Sequence, residues 1–170
     1  MGELLQVFDE KKNALGLADR GDVHSKGLFH EAVHVLLFNP KGEMFLGLRA
    51  KNKDINPGKW STFGEHKKPG ESDEAAARRG MKEELGISEK IPLEFLGEFL
   101  MKNPKDRQFS LIYMAVFDGK VEFADNEFEE GRFFPVSEVK RIVAEENEKC
   151  SPNFLQVWEF FLKKTGGKAK

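Results

Sequence analysis

Residues 59–87, KWSTFGEHKKPGESDEAAARRGMKEELGI, constrain this chain more than any other stretch. They read as a glycine-bearing loop feeding one short helix. Ser72 is placed to cap the helix, and Asp73 and Glu74 fall in the first turn, where the helix dipole favours negative charge. Ala75, Ala76 and Ala77 are strong helix formers. Gly86 supplies the left-handed residue that ends a helix. Near that end stand Arg79, Glu83 and Glu84. Arg79 and Glu83 are four residues apart, so they share a face and can pair. The adjacent carboxylates of Glu83 and Glu84 repel each other, which a hard cation beside them relieves. An all-oxygen ligand set of this kind suits Mg2+ or Mn2+.

The chain has 170 residues, the size of one domain with a real core, and a net charge of −2. Its charges are mixed along the sequence, so no basic surface argues for nucleic acid. The lone cysteine, Cys150, excludes an internal disulfide and fits a reducing, cytoplasmic setting. The N-terminus is too polar and acidic for a signal peptide, and no apolar run approaches a membrane span. Sixteen phenylalanines point to an aromatic core.

Residues 4–8 and 14–18 read as an N-terminal hairpin within positions 1–20, and 20–22 as a turn. Strands are expected at 31–38 and 43–49, joined by the tight Asn-Pro-Lys-Gly turn at 39–42. A polar loop, 51–59, leads to Trp60, read as a loop anchor. Further strands are expected at 93–101, 109–117 and 131–135, with a charged connection at 102–107 and an acidic loop at 123–130. The 109–117 strand is apolar enough for both faces to be buried. Ser137 is read as the cap of a helix to about 147. Ser151-Pro152 opens a last helix, whose Phe154, Leu155, Trp158, Phe161 and Leu162 form its buried stripe. A polar tail, 166–170, follows. With no repeat and no linker, one α/β domain spans 1–170.

The 59–87 stretch resembles the Nudix box: Gly, five residues, Glu, seven residues, then Arg-Glu-apolar-any-Glu-Glu-any-Gly-apolar. Glu71, Arg79, Met81, Glu83, Glu84, Gly86 and Ile87 match in fixed register. Two positions depart from it. Glu65 stands where the Gly belongs, and Gly80 where the Glu of the Arg-Glu pair belongs. The resemblance implies a mixed sheet sandwiched between helices (α/β/α), with the core at about 28–160. The segments 38–42 (FNPKG), 46–49 (LGLR), 56–60 (NPGKW) and 64–66 (GEH), with His24 and His30, resemble the isopentenyl diphosphate isomerase-like branch of that superfamily. In the isomerases of this branch three histidines and acidic residues hold a metal, and His24, His30 and His66 match the histidines. The isomerase's cysteine falls at Gly64, and its later glutamate pair at Ser110 and Ile112. With no thiol and no acidic pair, alkene protonation has no evident acid or base.

What the resemblance implies first is a metal-dependent hydrolase, using Mg2+ or Mn2+, that cleaves a small-molecule diphosphate as a monomer or homodimer. Glu83 and Glu84 would be metal ligands, with the Gly64 carbonyl as an addition. Arg79 would hold Glu83 in place, and Glu71 would support the loop or reach the metal through water. Gly80 cannot activate water. Candidates for that base are Glu127 first, then His66, then Glu65. Arg49 and Lys51 end the strand before the loop and are placed to meet substrate phosphates, as is His66. Each choice has a plainer reading: a solvated salt-bridged face for Arg79, Glu83 and Glu84, a surface charge for Glu127, and solvated strand ends for Arg49 and Lys51. His30 and His34 point to one face and can be satisfied sheet histidines. Gly80 also favours a second hypothesis, a Nudix-fold protein that binds a ligand without turnover.

Overall fold

The computed structural model describes residues 2–53, 55–104, 106–123 and 126–168. Asp125 of the acidic loop, position 54 of the polar loop, position 105 of the charged connection and the last two residues of the tail lie outside them. The expected N-terminal hairpin forms from β1 (Leu4–Phe8) and β2 (Ala14–Asp19), paired antiparallel. Its loop is tied by Asp9, whose Oδ1 accepts from the Lys11 and Asn13 backbone N–H groups at 2.9 and 2.8 Å. The expected turn at 20–22 is instead the start of a helix, α1 (Arg20–Lys26). Asp19 caps it by accepting from the Gly21 N–H at 2.9 Å, and Gly27 ends it at φ 61. Val23 of α1 buries against Leu5 and Val7, which seats the helix on the hairpin.

The main sheet runs β5 (Trp60–Ser61), β4 (Met44–Arg49), β3 (His30–Phe38), β8 (Asp106–Val116), β7 (Glu94–Asn103), with β6 (Phe63–His66) also on β3 and β9 (Phe128–Phe134) on β4. The β3–β8 pairing is parallel and the others are antiparallel, so the sheet is mixed. Alternation along β3 divides the core in two. Val33, Val35 and Leu37 pack with Ala76, Ala77, Met81 and Leu85 of α2 (Asp73–Leu85). Leu36 and Phe38 pack with Ile142 of α3 (Val136–Glu145) and with Phe154, Val157 and Phe161 of α4 (Pro152–Thr165). Each such Phe or Leu gains about 1.5–3 kcal/mol on leaving water. The result is the expected α/β/α sandwich, with most of β8 buried on both faces.

Ser72 caps α2 through the Ala75 N–H, and Gly86 closes it at φ 68. Ser151 caps α4 in the same way through the Phe154 N–H. Three boundaries differ from expectation. The 102–107 connection is largely strand, because β7 continues to Asn103 and β8 begins at Asp106. β9 starts at Phe128, inside the expected acidic loop. Phe128 is buried against Gly47, where a Cβ would stand 2.4 Å from the ring. α3 is entered through Pro135 with no side-chain cap, so Ser137 does not cap it. Between Leu48 and Arg49 the β4–β9 register shifts, a bulge of the kind that re-aims a side chain.

Candidate active site

At the start of β3 and β8 the face that carries Leu36 and Ile112 becomes polar: His30 and His34 on one strand, Asp106, Gln108 and Ser110 on the other, all buried. Strand β6 lies along this end, with Ala32 opposite His66, Val33 opposite Glu65 and His34 opposite Gly64. Alternation therefore sends His66 to the histidine face and Glu65 to the α2 face.

Arg79 joins β6 to α2. Its Nε and Nη2 donate to Glu71 Oε1 and Oε2, each at 2.9 Å, and Nη2 also donates to the His66 carbonyl at 2.9 Å. Nη1 lies 3.2 Å from Glu65 Oε2 and 3.4 Å from Glu83 Oε2. The hydrogen bonds from Arg79 hold the Glu71 carboxyl below its usual range, with burial working against them. Burial pushes Glu65 the other way, above its usual range, and Arg79 offsets this only in part. Glu84 is 8% exposed, while Glu83 is half-exposed. Both stand in the last turns of α2, where the helix dipole disfavours anions and favours a cation. Gly64, Glu65, Glu83, Glu84 and Glu127 line one cavity of about 490 Å³, with Arg20, Lys53 and Lys68 also on its wall. These oxygen donors fit Mg2+ or Mn2+.

A second cluster lies beside the first. His24, His30, His66 and Asp106 each offer one ligand atom, all within 4.8 Å of one another. The three rings are 5.0–5.4 Å apart between centroids. Asp106 Oδ1 stands 3.5 Å from His30 Nε2 and 3.8 Å from His24 Nδ1. Asp106 also accepts from Gln108 Nε2 at 2.6 Å and from Asn153 Nδ2 at 2.5 Å. Burial raises the Asp106 carboxyl, but His30, Gln108 and Asn153 beside it outweigh burial and hold it well below its usual range. Burial, with His30 next, pushes the His66 ring well below its usual value, so its lone pair is available. Imidazoles with one carboxylate suit a borderline cation such as Zn2+. His34 stands apart from this cluster, with Nε2 bonded to Gln108 Oε1 at 3.0 Å.

The basic side of the cleft comes from the loop after β4. Arg49 Nη1 is 2.5 Å from Glu127 Oε1, and Lys53 Nζ is 2.6 Å from Glu127 Oε2. Arg49 Nε also donates to the Ile55 carbonyl at 2.9 Å. Burial pushes the Glu127 carboxyl up, and Arg49 and Lys53 more than offset it, so it sits below its usual range. Arg20 of α1, Arg49 and Lys53 share the wall of an adjoining cavity of about 770 Å³. Lys51 is exposed, and its backbone N–H donates to Glu129 Oε1 at 2.9 Å.

The fold thus brings Glu65, His66, Glu83, Glu84, Gly64, Arg79, Glu127 and Arg49 to adjoining cavities, holds Glu71 one contact behind them, and leaves Lys51 outside their walls. Sequence reasoning missed Asp106, Gln108 and Asn153. The alternation Asp106-x-Gln108-x-Ser110 was the available signal, obscured by reading 102–107 as a connection.

An α/β/α sandwich with this loop–helix defines a Nudix-type protein. The family model of the NUDIX domain matches residues 28–155, and the chain belongs to that family. It is 31% identical over 162 residues to an isopentenyl-diphosphate Delta-isomerase of Serratia proteamaculans, covering 92% of this chain and 90% of that one. It is 32% identical over 132 residues to an uncharacterized Nudix hydrolase of Pseudomonas aeruginosa, covering 77% and 78%. A crystal structure of a Deinococcus radiodurans protein superposes with TM-score 0.74 at 21% identity, over 91% and 96% of the two chains. The NUDIX domain of Shewanella oneidensis NrtR, solved with ADP ribose, gives 0.61 at 14% identity, over 86% and 98%. These two structural likenesses concern the fold.

Proposed function

We propose that this chain is a metal-dependent hydrolase that cleaves the diphosphate linkage of a nucleotide or another organic diphosphate. The observation that carries this reading is the convergence of Glu83, Glu84 and Glu65 on one cavity that Lys53 and Glu127 also line, with Arg49 paired to Glu127 from the adjoining cavity. Glu83, Glu84 and the Gly64 carbonyl would hold the cation. When bound, Mg2+ or Mn2+ supplies charge neutralisation to phosphoryl oxygens and acidifies water. Arg79 fixes the Glu83 side of the cluster. Arg49 and Lys53 now engage Glu127; a diphosphate arriving there competes for both cations. Glu127, so released, becomes the acceptor for the proton of the attacking water. His66, neutral and against the same cavity, orients the phosphate group.

A panel of nucleoside triphosphates, nucleotide sugars, ADP-ribose and dinucleoside polyphosphates, assayed for phosphate-bearing products with Mg2+ and Mn2+, tests the reading. Turnover of one class is expected. Thermal stabilisation by a ligand without any turnover would replace the hydrolase with a binding protein.

The cluster of His24, His30, His66 and Asp106 favours a second reading, an isopentenyl diphosphate isomerase. Against it, a Cβ at Gly64 would meet His34 Nδ1 at 2.8 Å, which leaves no room for a thiol there. Ser110 and Ile112, in place of carboxylates, are fully buried on β8. Incubation with isopentenyl diphosphate is expected to yield no dimethylallyl isomer; its appearance would establish the isomerase.

A further inference from the structure

Glu65 and Gly80 are the two departures from the family pattern, and in the folded chain they touch. Glu65 sits on β6 with its side chain toward α2, on the same side as Phe63. Gly80 is buried on α2. A Cβ on Gly80 would stand 2.4 Å from Phe63 Cζ, 2.8 Å from Glu65 Cβ and 3.0 Å from Glu65 Cγ. Non-bonded carbons do not approach so closely, so a stem on Gly80 filling this gap needs both the Phe63 ring to turn aside and the Glu65 stem to be absent. A chain with Gly on the strand and Glu on the helix fills the gap from the helix. This chain, with the two residue types exchanged, fills it from the strand.

The carboxylate at the end of the stem stays with its group. Glu65 Oε2 is 3.2 Å from Arg79 Nη1, the same nitrogen that lies 3.4 Å from Glu83 Oε2. Glu65, Glu83 and Glu84 line one cavity. Their oxygens are not all within 4.8 Å of one another, so a shared cation would have to draw them together, while Glu3 and His66 already stand within that distance of Glu65. The Glu65 side chain is only 13% exposed, and a packing role alone would be met better by an uncharged residue.

We propose that Glu65 carries the carboxylate that Gly80 lacks, delivered from strand β6 instead of helix α2, and that it holds the divalent cation with Glu83 and Glu84. This rests on the hydrolase reading above. It makes Glu65 a ligand and leaves the proton of water to Glu127.

The test is Mn2+ titration of the purified full chain, followed by calorimetry, with thermal unfolding as a second readout. Glu65→Gln keeps the stem and Arg79 contact, and is expected to fold normally while Mn2+ affinity falls about 10-fold or more. Gly80→Glu alone places two stems in one gap and is expected to lower Tm. Glu65→Gly with Gly80→Glu restores the family arrangement, with a Tm above that of Gly80→Glu and Mn2+ affinity above that of Glu65→Gly. If Glu84→Gln loses Mn2+ while Glu65→Gln binds it like the parent chain, the exchange is overturned and the hydrolase site stands. If neither variant changes Mn2+ affinity, the site itself falls, and Glu65 with it. A folded double variant that binds Mn2+ no better than Glu65→Gly also overturns the exchange.

Discussion

Arg79 grips Glu71 through two parallel hydrogen bonds, Nε to Oε1 and Nη2 to Oε2, each 2.9 Å long. Glu71 in turn accepts from the Lys68 backbone N–H at 3.0 Å, so the fork ties the 67–72 loop to the middle of α2. A lysine cannot make this planar, two-point contact. Arg79→Lys is expected to lose about 2 kcal/mol, the worth of one hydrogen bond to a charged group. That corresponds to roughly 4–8 °C in Tm for a chain of this size. Differential scanning calorimetry checks it, and an unchanged Tm would show that the loop is held by something else.

The same contact sets a pH dependence. Hydrogen bonding to Arg79 lowers the Glu71 carboxyl below its usual value in the folded chain. A carboxyl that titrates lower when folded stabilises the fold above its unfolded pKa. That contribution is lost as pH falls through the folded value. Urea unfolding of the metal-free chain from neutral to acid pH is expected to show stability falling below the ordinary glutamate range. Glu71→Gln is expected to be less stable at neutral pH and to have a shallower acid limb; parallel limbs for the two chains would contradict the assignment.

Among the described residues, Asp106 is the carboxylate that groups with all three of the His24, His30 and His66 rings within ligand distance. Asp106→Asn is nearly the same shape, but it removes the charge and turns an NH2 toward the Gln108 or Asn153 donors. Zn2+ affinity, measured by competition with a chromophoric chelator, is expected to fall about 10–100-fold. Unchanged affinity would mean that the three histidines are packing groups.

Cys150 offers a check on the junction of β5 and α4. It is buried, it bridges to Trp60, and burial pushes its thiol up to about 11. At pH 8 little thiolate is present, so reaction with a thiol reagent is expected to be slower than in the denatured chain by about 10²-fold or more. Raising the pH toward 11 is expected to speed the native reaction. Equal native and denatured rates at pH 8 would show the junction to be open.

Local chemistry was legible in the sequence, and contacts between distant segments were not. Ser72, Gly86 and Ser151 act where their residue types place them, because a cap is decided within one turn. The stripe of α4 was legible at Phe154, Trp158 and Phe161 for the same reason, but Leu155 and Leu162 are only partly buried and Val157 takes a core place instead. Helix α1 escaped notice because Val23 alone is buried on it. Asp106 reads as one more charge in a charged stretch, until the fold brings His24, His30 and Asn153 to it from both ends of the chain. The start of β9 depends on Phe128 finding Gly47. Glu65 and Gly80 read as two separate losses, because their contact crosses from a strand to a helix.

The most direct measurement is phosphorus-31 NMR of the full chain with Mg2+ and the best substrate of the panel, in water enriched in oxygen-18. The expected result is cleavage of the diphosphate with the label in one phosphoryl product, reduced about 10²-fold or more in Glu84→Gln. Equal rates in the two chains, or an intact diphosphate in the presence of bound substrate and Mg2+, would contradict it.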